Sequence, residues 1–169
     1  MKPKKPKYTP VFLIDTREQR PYTFTGPDDL PYPTLRTKLD EGDYSIAAKS
    51  AEAGPDSVAF LANLQGRVAI ERKTLDDFVG SISQGRPRFM REIDRLKDYW
   101  LKVVVVEASL ADILMGRYIS RMRVTSVLGT IARLYLRGVP VMLTGNRYGG
   151  QEMTKRLLLK ALEDELKGN

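Results

Sequence analysis

Short apolar runs alternate along the chain with longer segments in which apolar residues recur every three or four positions. The short runs, several of them rich in β-branched residues, predict strands at residues 11–15, 34–39, 43–48, 67–73, 102–107 and 139–143. The periodic segments predict helices at residues 75–83, 86–100, 110–118, 120–137 and 151–167. Strands that alternate with helices of this length indicate a layered α/β fold.

The N-terminal end of the chain departs from this pattern. Residues 1–10 contain four lysines and no acid, and we expect a flexible basic tail there, ahead of a single domain at residues 11–169. Seven of the ten prolines fall before residue 34, which predicts an irregular loop at residues 19–33. The tail lacks the apolar core of a signal peptide, and no apolar run approaches the roughly 20 residues of a membrane helix. We therefore expect a soluble intracellular protein that is not secreted.

Composition narrows the chemistry that is open to the chain. Its 169 residues include 28 Lys and Arg against 21 Asp and Glu, a formal charge of +7, and neither His nor Cys. Disulfides, cysteine nucleophiles, Cys/His zinc sites and Ser-His-Asp triads are thereby excluded. Acid–base chemistry must come from Asp, Glu, Lys or Tyr, and a metal site must use oxygen ligands, which favour Mg²⁺, Mn²⁺ or Ca²⁺. The positive charge favours association with a polyanion.

Acidic residues stand at the ends of three predicted strands. Glu71 and Lys73 end one strand and share a face, while Arg72 lies on the other face. Asp15 ends the first strand and Asp43 opens the third. A carboxylate at such a place is costly to desolvate unless it is paired or bound to a cation, so these residues are candidates for a hard-metal site. Two alternatives stay open, a surface ion pair at the strand end and turn formation by the two aspartates.

Several short motifs follow one another in a distinctive order. They are Asp15-Thr16-Arg17-Glu18, Gly42-Asp43-Tyr44 and Ile70-Glu71-Arg72-Lys73, with Asp77 four residues later. Together they resemble the nuclease domain of the XPF-type structure-specific endonucleases, a family of the PD-(D/E)XK superfamily with the signature E-R-K-x-x-x-D preceded by G-D-Y. The resemblance covers nearly the whole chain. It implies a restriction-endonuclease-like α/β core, a central mixed β-sheet flanked by helices on both faces.

The resemblance also implies roles for individual residues. Asp43 and Glu71 would bind Mg²⁺ or Mn²⁺, and Lys73 would orient or deprotonate the attacking water. Asp15 is similar to the family's first acidic residue, a ligand for a second metal or its water shell. The chemistry is coherent, because Mg²⁺ is commonly held by one or two carboxylates together with waters and substrate phosphates.

Two further signature positions are interpreted as supports of the site. They are Arg72 and Asp77. Asp77 has an alternative role, because Thr74 followed three residues later by an acid is close to the capping box that starts a helix. The two roles are compatible. The predicted catalytic set is Asp15, Asp43, Glu71, Arg72, Lys73 and Asp77.

Arginine is concentrated in a part of the chain that lacks acids. Residues 113–151 contain six arginines and neither Asp, Glu nor Lys, and the guanidinium group matches phosphate geometry. The alternative is an ordinary solvated helix face. Arg17 and Glu18 are expected to pair with other site residues or to approach phosphate. The predicted DNA-contacting residues are Arg17, Arg86, Arg88, Arg121 and Arg123.

Two features depart from the family's pattern. Glu71 lies 28 residues after Asp43, a long spacing for this family, so we interpret residues 50–66 as an insertion. No helix-hairpin-helix pattern, which typical relatives use to hold DNA and to dimerise, follows residue 166. We therefore expect a homodimer or heterodimer formed through the apolar faces of the predicted helices at 120–137 and 151–167.

The function favoured by these observations is metal-dependent hydrolysis of phosphodiester bonds in branched, flap or fork DNA, as in repair, recombination or replication. The intact signature favours activity, because partner subunits of the family often lose it. Two alternatives stay open. One is a non-catalytic DNA-binding or scaffold subunit with the same fold, and the other is a junction resolvase or restriction-type relative.

Overall fold

A computed structural model describes residues 7–52 and 59–168 of the chain, in which seven strands form one sheet with five α-helices packed around it. The strands are β1 (Tyr8–Asp15), β2 (Thr34–Thr37), β3 (Tyr44–Ser50), β4 (Ala62–Asn63), β5 (Val68–Lys73), β6 (Leu101–Val106) and β7 (Val141–Leu143). The helices are α1 (Leu75–Ile82), α2 (Arg86–Arg95), α3 (Leu110–Leu114), α4 (Val124–Leu136) and α5 (Arg147–Lys167). Two short 3-10 turns occur at Pro27–Asp29 and Leu96–Asp98.

The sheet is mixed, with strand order β2-β1-β3-β5-β6-β7 and β4 paired to β3. The pairs β1–β2, β5–β6 and β6–β7 are parallel, whereas β1–β3, β3–β4 and β3–β5 are antiparallel. The predicted α/β fold with a central mixed sheet is thereby confirmed. β5 lies inside the sheet, between the antiparallel β3 and the parallel β6. Its last residues are therefore in the middle of the sheet.

Two hydrophobic clusters cover the two faces of the sheet. One joins the sheet to α1, α2 and α4, and the other joins it to α5. In β5, Ala69 belongs to the first cluster and Ile70 to the second. Because side chains alternate along a strand, Glu71 and Lys73 point to the same face of the sheet as Ala69, and Arg72 points to the same face as Ile70. The predicted separation of these three residues onto two faces is what the structure has.

The proline-rich loop predicted at residues 19–33 is part of the core. Tyr22 and Phe24 are buried. Phe24 stacks on Phe12 of β1 with ring centroids 4.1 Å apart, and Tyr22 stacks on Tyr44 of β3 at 5.2 Å. Stacked aromatic pairs of this kind contribute roughly 0.5–1.5 kcal/mol beyond their burial. The loop therefore holds Tyr22 firmly beneath the end of β5.

The first strand starts earlier than predicted. Tyr8 pairs with Ser50 and Pro10 with Ala48, so residues 8–10 belong to β1 and not to the predicted basic tail. The reason is long-range, because β3 extends far enough to pair with them, which local composition does not encode. The rest of that predicted tail, residues 1–6, lies outside the described residues.

The segment interpreted as an insertion contains a strand that the sequence pattern did not predict. Ala62–Asn63 forms β4 and pairs with Ala47 and Ala48 of β3. Residues 53–58 lie outside the described part of the chain. The interpretation of residues 50–66 as an insertion stays a prediction.

Helix boundaries differ from the predicted ones where local caps decide them. α5 begins at Arg147 and not at residue 151, because the Asn146 side chain caps it by accepting from the N–H of Gly149 at 2.8 Å. A Cβ atom at Gly149 would collide with the carbonyl of Thr144. The predicted helices 86–100, 110–118 and 120–137 shorten to α2 with a 3-10 turn, to α3 and to α4. In the described part of the chain, no helix is both long and apolar enough to cross a membrane.

Candidate active site

The site is built where β3 and β5 separate. The two strands pair at Tyr44 and Ile70, and the N–H of Asp43 donates to the Ile70 carbonyl at 2.8 Å. The N–H of Arg72 then donates to Asp43 Oδ2 at 2.7 Å. The Asp43 carboxylate thus accepts the Arg72 N–H, in place of the carbonyl that β3 would have supplied if its pairing with β5 had continued. Gly42 has φ 78° and approaches the Ile70 carbonyl so closely that a Cβ would lie 3.1 Å from it, which explains the glycine before Asp43.

Glu71 and Lys73 line an open cleft of about 610 Å³. Its walls are the loop 17–19, the turn 41–43 and the facing sides of α1 and α2. Lys73 Nζ donates to Glu71 Oε1 at 3.0 Å and lies 5.4 Å from the centroid of the Phe89 ring. Burial lowers the pKa of Lys73, but the charges of Glu71 and Asp43 outweigh burial and the net shift is upward. The ammonium group is therefore protonated at neutral pH.

The groups around Asp43 offset its negative charge only in part. Burial, followed by the neighbouring charge of Glu71, raises the pKa of Asp43 to about 8. The Arg72 N–H and the Lys73 ammonium act in the opposite direction without cancelling this effect. A bound cation would relieve both the repulsion and the desolvation.

The donor set fits a hard divalent metal that keeps part of its water shell. Within residues 7–52 and 59–168, no group of three or more acidic side chains is placed to enclose a metal ion. Asp43 and Glu71 line the cleft together with Lys73, and their charges are the two that act most strongly on its ammonium group. One or two carboxylates, completed by waters and substrate phosphates, are the usual protein contribution to a Mg²⁺ site.

Asp15 is not brought into the cleft. It is 1% exposed, and its carboxylate accepts from the Arg17 side chain at 2.6 Å and from the N–H of Leu39 at 2.7 Å. Burial raises its pKa, but these hydrogen bonds outweigh burial and the net shift is downward. Its contacts support a structural role for Asp15 and give no support to the ligand role implied by the resemblance.

The partner of Asp15 stands at the rim of the cleft. The Arg17 side chain is 64% exposed, while its Nε and Nη2 contact the Asp15 carboxylate and Nη2 also donates to the Leu39 carbonyl at 2.9 Å. These bonds fix the direction of the guanidinium group. It is thus presented to the cleft in a preset position, and the expected pairing of Arg17 with another predicted residue is observed.

A second charge cluster lies behind Arg72. Arg72 Nε donates to Glu107 Oε1 at 2.9 Å, and Nη1 lies 3.4 Å from Glu18 Oε2. The hydroxyl of Tyr22 donates to the same Glu107 oxygen at 2.9 Å. The side chains of Arg72 and Glu107 are 10% and 9% exposed. Arg72 is therefore held by buried partners on the side opposite to Glu71, as a supporting residue would be.

Sequence reasoning missed Glu107. It ends the predicted strand 102–107 in the same way that Asp15 ends the predicted strand 11–15, so the same criterion would have selected it. Its partners could not have been identified, since Tyr22 lies 85 residues before it.

Asp77 sits at the start of α1. Thr74 is the N-cap residue, and its hydroxyl accepts from the N–H of Asp77 at 3.2 Å and donates to Asp77 Oδ2 at 2.7 Å. Asp77 also lines the cleft. Thr74 thus caps α1 as the alternative expects, although Asp77 bonds to the Thr74 hydroxyl and not to its N–H, so the capping box is half formed.

The five predicted DNA-contacting arginines take three kinds of position. Arg17 and Arg88 line the cleft, and Arg88 is 83% exposed although it pairs with Glu92 on α2. Arg86 donates to the Thr130 hydroxyl at 3.3 Å. The remaining two lie on the surface near the start of α4, outside the residues that line the cleft; they are Arg121 and Arg123.

Residues 113–151 contain no acid, but the fold brings acids from outside this range next to some of their arginines. Arg117 pairs with Asp112, Arg137 with Asp94, and Arg147 with Glu107. Three of the six arginines are thus partly neutralised by acids from other segments. The accessible positive charge is smaller than the sequence pattern indicated.

Comparison with known proteins places the chain in a family. The model of the ERCC4 domain matches residues 14–157. Among solved structures, XPF from Aeropyrum pernix has a TM-score of 0.62 at 22% identity, over 93% of this chain and 69% of that one. XPF from Aeropyrum pernix in complex with DNA has a TM-score of 0.59 at 22% identity, over 95% of this chain and 66% of that one. A search of curated proteins gives no significant match.

The structural likeness, at 22% identity, is a likeness of fold. The chain spans about two thirds of the length of these XPF chains. The family match runs from the end of β1 into α5, so it covers all three motifs and Asp77. The resemblance seen in the motifs is confirmed, and the chain belongs to the ERCC4 domain family.

Proposed function

We propose that this chain is a metal-dependent endonuclease that hydrolyses phosphodiester bonds in branched, flap or fork DNA. The observation that carries the proposal is the meeting of Asp43, Glu71 and Lys73 in an open cleft, with the two carboxylates incompletely neutralised. Membership of the ERCC4 domain family supports it, as does the fold shared with an XPF that has been seen in complex with DNA. A DNA substrate agrees with an intracellular location.

The metal would be Mg²⁺ or Mn²⁺, held by Asp43 and Glu71. Such an ion stabilises charge on a phosphoryl oxygen and lowers the pKa of its bound water. The remaining positions around it are left to water and to substrate phosphate, since the protein supplies two carboxylates.

Lys73 would act as a hydrogen-bond donor. Its ammonium group is kept protonated by Glu71 and Asp43, so it donates a proton to a hydrogen bond and does not accept one. Of the two roles implied by the resemblance, this favours orientation of the attacking water over its deprotonation. A fixed positive charge at this place also stabilises the negative charge that develops on the phosphate.

Arg17 would hold a backbone phosphate at the rim. Its guanidinium is fixed by Asp15 and Leu39 and still largely exposed. Contacts of this kind give affinity without sequence readout and weaken as salt increases. Arg88 would contact a phosphate from the opposite wall of the cleft. The arginines outside the cleft would contact only flanking DNA.

The test is a cleavage panel of flap, fork, four-way-junction and linear DNA with Mg²⁺ or Mn²⁺. We expect cleavage of flap or fork DNA that is lost on chelation and in Glu71→Gln. Glu165→Gln, which alters a half-buried carboxylate of α5 that pairs with Arg67, is the matched control and should cleave normally. Salt-sensitive DNA binding without cleavage would instead identify a non-catalytic subunit. Symmetric junction cuts or a fixed recognition sequence would identify a resolvase or restriction-type relative.

Dimer formation through the last two helices is part of the proposal. The inner faces of α4 and α5 pack against their own sheet through residues such as Val127 and Leu158. A dimer contact would have to use exposed side chains, of which Leu136 is 84% and Tyr148 71% exposed. Sedimentation of wild type and Leu136→Glu decides it. A monomeric wild type would contradict this part of the proposal.

A further inference from the structure

Glu107 is a buried carboxylate that lies outside the cleft yet accepts three hydrogen bonds on one oxygen. Its Oε1 accepts from Arg72 Nε at 2.9 Å, from the Tyr22 hydroxyl at 2.9 Å and from Arg147 Nη1 at 3.4 Å. The side chain is 9% exposed. Since this oxygen is committed to neighbours inside the protein, its contribution to the site must pass through them.

The neighbour that connects Glu107 to the cleft is Arg72. The main chain of Arg72 donates to Asp43 Oδ2 at 2.7 Å, and Glu71 and Lys73 flank it in sequence. β3 no longer pairs with β5 at this point, so on that side the strand end is held by the Asp43 carboxylate. A movement of Arg72 would therefore displace all three cleft residues together.

The anchor continues to the start of α5. The Tyr22 ring centroid lies 5.7 Å from the guanidinium carbon of Arg72 and 5.0 Å from that of Arg147. Arg147 Nη2 also donates to two carbonyls of the loop that precedes Tyr22, at 2.8 and 2.9 Å. The Glu107 carboxylate thus pairs with both guanidinium groups that face this ring, while Arg72 also pairs with Glu18. Without its charge the two cations would repel each other across Tyr22.

We propose that Glu107 is a positioning residue, which fixes Arg72 from behind and thereby sets Asp43, Glu71 and Lys73 in their places for metal binding. The metal-binding consequence rests on the proposed function, whereas the fixing of the strand end rests on the contacts alone. Partners one layer removed from metal ligands typically change affinity or activity by about 10–100-fold when they are altered. Glu107 acts through Arg72 and belongs at the lower end of that range.

The test uses Glu107→Gln, which keeps the size of the side chain and removes its charge. The first readout is hydrogen exchange of the Arg72 amide by NMR in metal-free protein, relative to amides of β1. The second is the dissociation constant for Mn²⁺, titrated without DNA. We expect the Arg72 amide to exchange faster and the Mn²⁺ affinity to fall about tenfold. Glu165→Gln, which removes the charge of the carboxylate paired with Arg67 2.6 Å away, should change neither readout.

Each remaining outcome decides the proposal. A folded Glu107→Gln with unchanged Arg72 exchange and unchanged Mn²⁺ affinity overturns it. If that variant does not fold, Arg147→Met is measured in its place, and a smaller change in the same direction is expected. If the wild type binds no Mn²⁺ and cleaves no DNA, the proposed function fails, but the exchange of the Arg72 amide still shows whether Glu107 holds the strand end.

Discussion

The two sides of the end of β5 carry charges in contrasting ways. On the cleft side two carboxylates share one ammonium group, and the pKa of Asp43 is raised to about 8. On the other side Arg72 pairs with Glu18 and Glu107, and Arg147 pairs with Glu107; the side chains of Arg72, Glu18 and Glu107 are 10%, 6% and 9% exposed, although Glu18 and Arg72 also reach the cleft lining. The first group is unbalanced and open, and the second is balanced and mostly shielded from solvent.

This difference teaches which charges are available for binding. A buried ion pair is satisfied by its own partners, so it can fix a position but has little left to offer a ligand. Carboxylates that repel each other in an open cleft gain from any cation that joins them. The imbalance of charge, more than its density, marks the binding side of β5.

The largest expected effect comes from the unbalanced side. Asp43→Asn should reduce cleavage by more than about 100-fold, since even outer partners of a metal ligand cost about 10–100-fold. The same change should stabilise the chelator-treated protein at a pH above about 8, where Asp43 is ionised, because it removes the repulsion from Glu71 and the cost of burying a charge. Cleavage rates and urea unfolding with EDTA measure the two effects.

The control for this variant is Asp40→Asn, at an exposed aspartate three residues earlier. It should leave both cleavage and stability near the wild-type values. An Asp43→Asn protein that is less stable than the wild type in EDTA would show that the carboxylate is not strained, and the contrast between the two sides would fail.

On the balanced side, removal of a charge should lower the free energy of unfolding, the opposite of the effect expected for Asp43→Asn. Arg72→Met removes the cation paired with Glu18 and leaves Glu107 with the more distant Arg147, and removal of one partner from a buried pair costs about 3–5 kcal/mol. Urea unfolding measures this loss. The matched control is Arg88→Met, which breaks an exposed pair with Glu92 and should cost no more than about 1 kcal/mol. Similar losses in the two variants would mean that the network behind β5 is not an anchor.

Ionised Asp15 should make a smaller contribution to the free energy of unfolding, and this contribution should depend on pH. Hydrogen bonds from Arg17 and Leu39 outweigh burial and lower the pKa of Asp15 in the folded protein. The carboxylate therefore contributes stability that is present above its unfolded pKa of about 3.9 and is lost as pH falls through the folded pKa. Asp15→Asn should lower the free energy of unfolding at pH 7, and the difference from wild type should shrink toward pH 3. Urea unfolding across this range measures it, and a difference independent of pH would contradict the assignment.

Local rules were sufficient for the central part of the fold and of the site. The alternation of side chains along β5 separated Glu71 and Lys73 from Arg72, and the apolar runs located six of the strands. These features depend on neighbours within a few residues. For the same reason, the Thr74–Asp77 pair was recognised as a helix start.

The rest depends on contacts between distant segments. Asp15 carries the same strand-end signal as Asp43, but in the fold the amide of Leu39, 24 residues away, joins Arg17 in occupying its carboxylate. The pairing of Arg72 with Glu107 joins two parallel strands that a helical crossover separates. Residue patterns identify such acids as candidates, and the fold decides which of them remain open to a ligand.

The smallest expected effect tests whether Asp77 belongs with the cleft or with its helix. At α3, Ser109 and Asp112 form a complete reciprocal cap, whereas at α1 the Asp77 carboxylate accepts from the Thr74 hydroxyl. Thr74→Ala should cost about 0.5–2 kcal/mol, the usual range for a lost N-cap. Asp77→Asn keeps an acceptor at the same place, so it should change stability less than Thr74→Ala and leave the cleavage rate near that of the wild type. If Asp77→Asn instead abolishes cleavage in a protein of unchanged stability, then its carboxylate acts in the cleft, and the unbalanced side of β5 extends onto α1.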